Sequence, residues 1–335
     1  MTRHAVIDIG TNSVKLLVAD VAGARVVPVL EDARQTRLGR GFYQTHRLQP
    51  QPIAQTARAA RLFAAQARKL GATTLRVIAT SAAREARNAD ELIRAVQRAC
   101  GVRPEILSGS REAEWAFRGA MTDPRLAREP VLLLDVGGGS TEFILGCGRA
   151  IHFRHSYPLG AVRLLEQQPH SDPPRPEELA ACRAVLRAFL RERVHPELQP
   201  ALDRERRRHP QHHAVRLVGV GGTATVLARL EHGLDRSPRE TLEGTRLSLR
   251  RVRQWSERLW SVSLAQRRRI RGMPPERADV MLTGVLIYEA IMEVFGFRQL
   301  RVSTRGLRFA AVLEAAHGAL PSASPTVQPA SGLTR

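Results

Sequence analysis

Two stretches of this chain align residue for residue without a gap: VIDIGTNSVKLLVAD, residues 6–20, and LLDVGGGSTEFILGC, residues 133–147. Each leads an apolar run through an aspartate into a turn of glycines and hydroxyls, then out into a second run. Asp8 answers to Asp135 and Gly10 to Gly137. A repeated strand, glycine turn and strand predicts an internal duplication. Two α/β halves follow, each opening on that hairpin, with a cleft between them.

The remaining pattern fills in both halves. HAVIDIG and KLLVADVAGARVVPVLE read as strands, the second broken by a turn at Ala22-Gly23. Residues 52–70 carry Ala and Leu at helical spacing and stop at Gly71; NADELIRAVQRAC stops likewise at Gly101. LRVIAT and PEIL are strands and REAEWAFRGAM a helix. After Asp123-Pro124 the sequence restarts with a buried strand, a glycine turn and two further strands about Gly146 to Gly148. PEELAACRAVLRAFLRERV continues as helix, VRLVGVGGTATVLARL as strand, glycine turn and helix, and PPERADVMLTGVLIYEAIMEVF as a long helix starting at its prolines. QLRVSTRGLRFAAVLEAA closes the folded part with a strand and a helix. The halves are expected at 1–124 and 125–317, with the last helix free to pack back on the first half, and 318–335, rich in Pro and Ser, as a disordered tail.

Three glycine runs follow buried strands: DIGTNS (8–13), DVGGGST (135–141) and GVGGTAT (219–225). Glycine permits positive φ and lets a ligand reach main-chain N–H groups, and consecutive N–H groups make an anion nest. The third run leads into a helix whose N-terminus adds its dipole. Asp8, Asp135 and Glu142 cannot bind phosphate themselves, since like charges repel. Beside a phosphate they would hold Mg²⁺, which prefers carboxylates together with phosphate oxygens and water. The plainer alternative has Asp8 and Asp135 capping their own turns.

Charge points the same way. The net charge is +20, and of 52 basic residues all but Lys15 and Lys69 are arginine. Part of that skew is compositional habit, yet the surplus favours a polyanionic ligand. Cys100, Cys147 and Cys182 lie far apart with no CxxC spacing, which argues against a zinc site or a disulfide framework and makes the cytoplasm the simplest compartment. No apolar run approaches the ~18 residues needed to span a bilayer.

At this point the sequence resembles the exopolyphosphatase and guanosine pentaphosphate phosphohydrolase family, in its short two-domain form, within the superfamily of sugar kinases, actin and heat-shock ATPases. The resemblance is carried by AVIDIGTNSVKLLV, TRLGRGF, VIATSAAREARN, ILSGSREAEWAFRGA, LLLDVGGGSTEF, YPLGAVRL, GVGGTAT, ERADVMLTGVLI and VSTRGLR, in order from the N-terminus. It implies two ribonuclease-H-like (actin-like ATPase) domains facing across a cleft. It also implies hydrolysis of the terminal phosphate of polyphosphate or of guanosine pentaphosphate, with Mg²⁺ (or Mn²⁺) and water. By position, Glu112 resembles the general base. The family usually has a second acid just before it, where Arg111 stands here. Glu114 points to another side of the helix. Asp135 and Glu142 resemble the acidic pair for metal and water, and Arg84 an arginine that binds the phosphates of the substrate. Where the family commonly has aspartate in VSTRGLR, Thr304 is found, and no role is carried over.

The expectation is therefore an exopolyphosphatase with catalytic Glu112 and Glu142, and with Asp8, Asp135 and Glu142 at the metal. The phosphates would be gripped by Gly10, Thr11, Asn12, Ser13, Arg84, Gly137, Gly138, Gly139, Ser140, Thr141, Gly221, Gly222 and Thr223. Guanosine pentaphosphate hydrolysis is the nearest alternative; a non-catalytic polyanion or nucleic-acid binder is the alternative of another class. No specific nucleic-acid motif and no membrane partner is expected. Larger members add a helical domain at the C-terminus that gives long substrates a basic channel. It is missing here, and a homodimer could supply an equivalent one. RERRRHPQHH (204–213) and RRRIR (267–271) read as solvated basic loops, with His209, His212 and His213 on the surface. Trp255, Trp260 and the stripe in DVMLTGVLIYEAIMEVF read as core.

Overall fold

The computed structural model describes residues 1–211, 215–235 and 238–318. β-Branched and apolar residues carry Thr2–Ile9 (β1), Ser13–Ala22 (β2) and Arg25–Gln35 (β3) into an antiparallel meander. Thr74–Ala79 (β4) and Glu105–Ile106 (β5) add in parallel, giving the order β3-β2-β1-β4-β5. The second half repeats the plan. Pro130–Val136 (β6), Thr141–Cys147 (β7) and Ala150–Tyr157 (β8) form its meander. Arg216–Val220 (β9), Arg246–Ser248 (β10) and Gln299–Val302 (β11) extend it to the order β10-β11-β9-β6-β7-β8, with β9 and β11 parallel to β6. This is the arrangement of two ribonuclease-H-like halves, the second with one more antiparallel edge strand.

Two helices fill the space between the sheets, one from each half. On the Gly109–Ala120 helix, Trp115 packs with Val6, Leu17 and Ile78 of the first sheet. One turn round, Ala113, Phe117 and Ala120 pack with Val131, Leu133 and Val218 of the second. The last helix, Leu307–His317, joins the first of these clusters through Phe309, Ala311 and Val312 and so returns to the first half. The Met281–Val294 helix is buried nearly all round, as its apolar run implies, and Trp255 and Trp260 are core. Among the described residues, no helix is long and apolar enough to cross a membrane.

Several local readings are corrected. Pro274 and Pro275 do not start the long helix; they open a three-residue turn, Pro275–Arg277, and the helix begins at Met281. The interruption leaves Asp279 on a segment that reaches the first half, where it bonds Arg37 at 2.9 Å. Arg204–Arg208 is the end of a helix, His195–Arg208, because Leu198, Ala201, Leu202 and Glu205 give that stretch a buried stripe. His209 is half-buried against the buried Glu205, which also bonds His152 at 2.6 Å. His212, His213 and residues 319–335 lie outside the described residues. Within RRRIR, Arg267 is 1% exposed: its Nη1 donates to the Leu259 carbonyl and its Nη2 lies 3.7 Å from Asp172, while Nε has no partner among the described residues.

One buried pair ties the sheets' connecting segments. Arg301 on β11 donates through Nη2 to Asp123 Oδ2 at 2.8 Å, with side chains 7% and 2% exposed. Removing one partner of such a pair strands the other charge. Asp123→Ala should therefore cost about 3 kcal/mol in urea unfolding, whereas loss of the exposed Arg47–Glu91 pair by Arg47→Ala should cost under about 1 kcal/mol.

Candidate active site

The two equivalent hairpins turn in the same way. Gly10 N–H donates to the Ser13 carbonyl (2.9 Å) and Gly137 N–H to the Ser140 carbonyl (3.0 Å), so the first glycine amide of each loop closes its own turn. Those two amides are spent and cannot also hold phosphate. Among the described residues, no group accepts from the amides of Thr11, Asn12, Gly138 or Gly139. The tips nearly touch across the cleft. A Cβ on Gly139 would lie 2.2 Å from the Tyr43 hydroxyl and 2.4 Å from Ser81 Oγ, so only glycine permits this approach. Arg163 fixes it from below: Nε donates to the Gly139 carbonyl, Nη2 to Glu85, and the guanidinium lies 4.1 Å over the Tyr43 ring.

The third glycine run is not a turn. The Gly221–His232 helix starts at its first glycine, which has φ of 79° and sits so close to Asp135 that a Cβ would lie 2.1 Å from Oδ1. Among the glycines expected to hold phosphate, only Gly221 is left-handed; Gly10, Gly137, Gly138, Gly139 and Gly222 serve by lacking a side chain. Gly221 and Gly222 offer the unsatisfied N–H groups of a helix start.

Register sets the charges. Asp8 faces Lys15 across β1 and β2, and Asp135 faces Glu142 across β6 and β7. The duplicated position that carries Glu142 in one half carries Lys15 in the other. Burial pushes the Asp135 carboxyl up, Lys15 opposes this, and Asp8 adds to it. Glu142 is pushed up to about 7, by burial first and Asp135 second, against hydrogen bonds donated by Ser140 (2.7 Å) and Ser156 (2.8 Å). Glu112, in the first turn of its helix, lies well above the carboxylate range through burial and the Glu142 charge, with Arg84 pulling it back. Arg84 Nη1 donates to Glu112 Oε2 at 2.9 Å and to the Leu107 carbonyl at 2.8 Å.

A small cavity of about 70 Å³ collects most of the residues singled out from sequence. Asp8, Glu112, Asp135 and Glu142 line it, with Gly10 to Ser13, Gly137 to Ser140 and Gly222. Asn12 Nδ2 is buried there with no partner among the described residues, a donor awaiting an acceptor. The structure does not bring every candidate in. The Thr141 hydroxyl donates to the Leu159 carbonyl and that of Thr223 to the Val136 carbonyl, so both brace the walls from behind. Gly221 lines an adjoining cavity instead, and Arg84 sits behind Glu112. Glu114 faces Arg118 and Arg154, away from the cleft. Sequence reasoning passed over Lys15, Thr80, Ser81 and Arg277, all on the wall. For Lys15 the signal was in the duplication itself, at the place of Glu142.

Among the described residues, no three His, Cys, Asp or Glu side chains group closely enough to hold an ion alone. The donor set still fits Mg²⁺, which takes one or two carboxylates and completes its shell with phosphate oxygens and water. A cation beside Asp135 would also relieve the burial and the Asp8 repulsion that raise this carboxyl.

Comparison with known proteins gives the family and the fold. Residues 16–317 match the Ppx/GppA phosphatase family. The sequence is 34% identical over 316 residues to Exopolyphosphatase 2 of Mycobacterium tuberculosis, a match spanning 90% of this chain and 95% of that protein. It is 26% identical to the bifunctional 3-dehydroquinate synthase/phosphatase of Fusobacterium nucleatum, over 93% of this chain and 46% of that longer protein. The Ppx/GppA enzyme of Aquifex aeolicus superposes with a TM-score of 0.72 at 29% identity, over 93% of this chain and 99% of that one. An exopolyphosphatase of Cytophaga hutchinsonii, 24% identical, gives a TM-score of 0.81 over 95% and 99%, a likeness of fold.

The raised carboxyls have a consequence for stability. A carboxyl whose folded pKa exceeds its unfolded value costs nothing while both states are protonated, and destabilises as pH rises through the folded pKa. Glu142 should thus lower stability between its ordinary 4.5 and about 7. Glu142→Gln should make that decline shallower in urea unfolding followed across this range in EDTA; an unchanged slope would show that Glu142 ionises freely.

Proposed function

From the premise that this chain belongs to the Ppx/GppA phosphatase family, we propose that it is an exopolyphosphatase, hydrolysing the terminal phosphate of inorganic polyphosphate. The observation that carries the reading is one cavity in which the open amides of two hairpin turns face a buried, proton-seeking carboxylate, Glu112. Phosphoryl transfer to water needs an in-line water, neutralised oxygens and a stabilised leaving group, and little covalent help. The amides of Thr11, Asn12, Gly138 and Gly139, with Asn12 Nδ2, bind the phosphate oxygens. Lys15 and the start of the Gly221 helix add positive potential.

Glu112 orients a water and takes its proton as the water oxygen bonds to the terminal phosphorus. The bridging P–O bond breaks, and the polymer leaves one phosphate shorter. Burial and the Glu142 charge raise its affinity for a proton, which favours taking one from the water. Arg84, bonded to Glu112 at 2.9 Å from behind, holds that carboxylate in place. Asp8, Asp135 and Glu142 would hold Mg²⁺, or Mn²⁺ in its place, which when bound neutralises the phosphate oxygens. The surplus of +20 favours the longer polyanion over guanosine pentaphosphate. The three cysteines are free thiols, as a cytoplasmic setting requires.

Phosphate release from polyphosphate should require a divalent cation and stop in EDTA. Glu112→Gln should lower kcat by ~10² to 10⁴ while substrate still binds, and Glu114→Gln should stay within about twofold of the parent, since Glu114 faces Arg118 and Arg154. Turnover by Glu112→Gln at the parental rate would remove Glu112 from the reaction.

A further inference from the structure

Beside the catalytic cavity, and sharing Asp8, Lys15, Asp135, Gly222 and Arg277 with it, lies a larger one of about 480 Å³. Its wall carries four arginines, Arg229, Arg239, Arg277 and Arg308. Three of them have a buried guanidinium nitrogen bonded to nothing among the described residues: Nε of Arg229, Nη2 of Arg239 and Nε of Arg277. Buried donors are normally satisfied, and unmet charged donors are costly. The same wall carries Asp8, Glu31, Asp32, Asp135 and Glu276, so what marks a place for an anion is the way two of the arginines are already engaged.

The wall already shows how an oxyanion would be held. From β3 in the first half, the Glu31 carboxylate reaches across, taking Arg239 Nη1 on Oε1 at 2.7 Å and Arg308 Nη2 on Oε2 at 3.2 Å. Two guanidinium groups sharing one oxyanion is the geometry arginines use for phosphate. Arg239 is held in place by Phe309, whose ring lies 4.0 Å beneath it. That contact covers a face of the phenyl ring, which leaves it ill placed to stack a nucleobase. Glu31 is 30% exposed and can turn to water.

We propose that this cavity is a second anion seat, in which Arg239 and Arg308 receive a distal phosphate of the polyphosphate in exchange for the Glu31 carboxylate. The identity of the anion rests on the exopolyphosphatase reading; the seat itself rests on the arginines. One negative group replaces another, so the exchange leaves the local charge balanced and returns Glu31 to solvent. A short substrate ends before the seat. A longer one is gripped twice, which favours length through these two halves alone.

The test is a comparison of KM for tripolyphosphate and for polymers of roughly 15 and roughly 100 units. A lost charge-assisted bond is worth about one decade of affinity. Arg239→Gln should raise KM for the longer polymers roughly tenfold with kcat held, and change KM for tripolyphosphate far less. Glu31→Gln, which keeps the side chain's size but removes the charge that competes for the seat, should lower KM for those same polymers. Arg239→Lys, charged but without the fork, should fall between. Equal shifts at every length, or weaker binding by Glu31→Gln, would overturn the proposal, and parental thermal unfolding of each variant guards against simple misfolding. Binding of labelled polyphosphate in EDTA separates the seat from the activity. If the parent protein hydrolyses no polyphosphate but binds it in an Arg239-dependent way, the seat stands and the catalytic reading fails; if binding ignores Arg239, the seat fails.

Discussion

Three carboxylates, the buried Glu112 and Glu142 and the half-buried Asp135, lie within range of each other's charge, and the fold must hold them there against their own repulsion. Two devices fix them. Asp135 and Glu142 are partners in the β6–β7 ladder, so ladder hydrogen bonds set their separation. Glu112 is placed by a helix capped at Ser108, whose hydroxyl accepts from Arg111 N–H, and by Arg84. The opposing charges, Lys15 and Arg84, come from the first half. The halves therefore need one another electrostatically as well as through the two helices sandwiched between their sheets.

The duplication is kept in backbone and broken in charge. Both hairpins close with the same amide-to-carbonyl bond from their first glycine, and both present an aspartate at the end of the leading strand. At the next equivalent position one half has Lys15 and the other Glu142. Two like halves would present two acidic hairpins to a phosphate, and repulsion would win. Exchanging one acid for a lysine makes one side attractive to the anion and leaves the other to manage a metal and a proton.

How much of this was legible in the sequence depends on the length scale of the cause. The hairpins, the glycine runs and the buried strands are local, and their pattern foretold both halves. Glu112 and Glu142 could be singled out because their motifs are contiguous. Thr141 and Thr223, expected at the phosphates, turn their hydroxyls to the Leu159 and Val136 carbonyls, since a hydroxyl facing phosphate and one facing a carbonyl behind the wall look alike in sequence. Arg204, Arg206, Arg207 and Arg208 stay exposed as expected, on a helix end where a loop was expected; Arg267 was misjudged by charge alone, since the Leu259 carbonyl that receives it matters only once the helices have packed. Gly221 carried the right residue for an unexpected reason, room for Asp135.

Arginine content shows the same limit and what resolves it. A net charge of +20 invites a polyanion but does not locate it. Much of the guanidinium content is consumed internally: Arg76 on Glu105 and Glu314, Arg187 and Arg253 on Glu293, Arg301 on Asp123. Such groups add to the total and have little attraction left to offer. Arg229, Arg239 and Arg277 instead line one void beside the catalytic cavity, each with a buried nitrogen that has no partner among the described residues. Arg277 is half-buried, and loss of water around it lowers its proton affinity to about 10, so part of its charge is less screened toward a phosphate. Location and burial, more than the sum of charges, decide where a polyanion would lie.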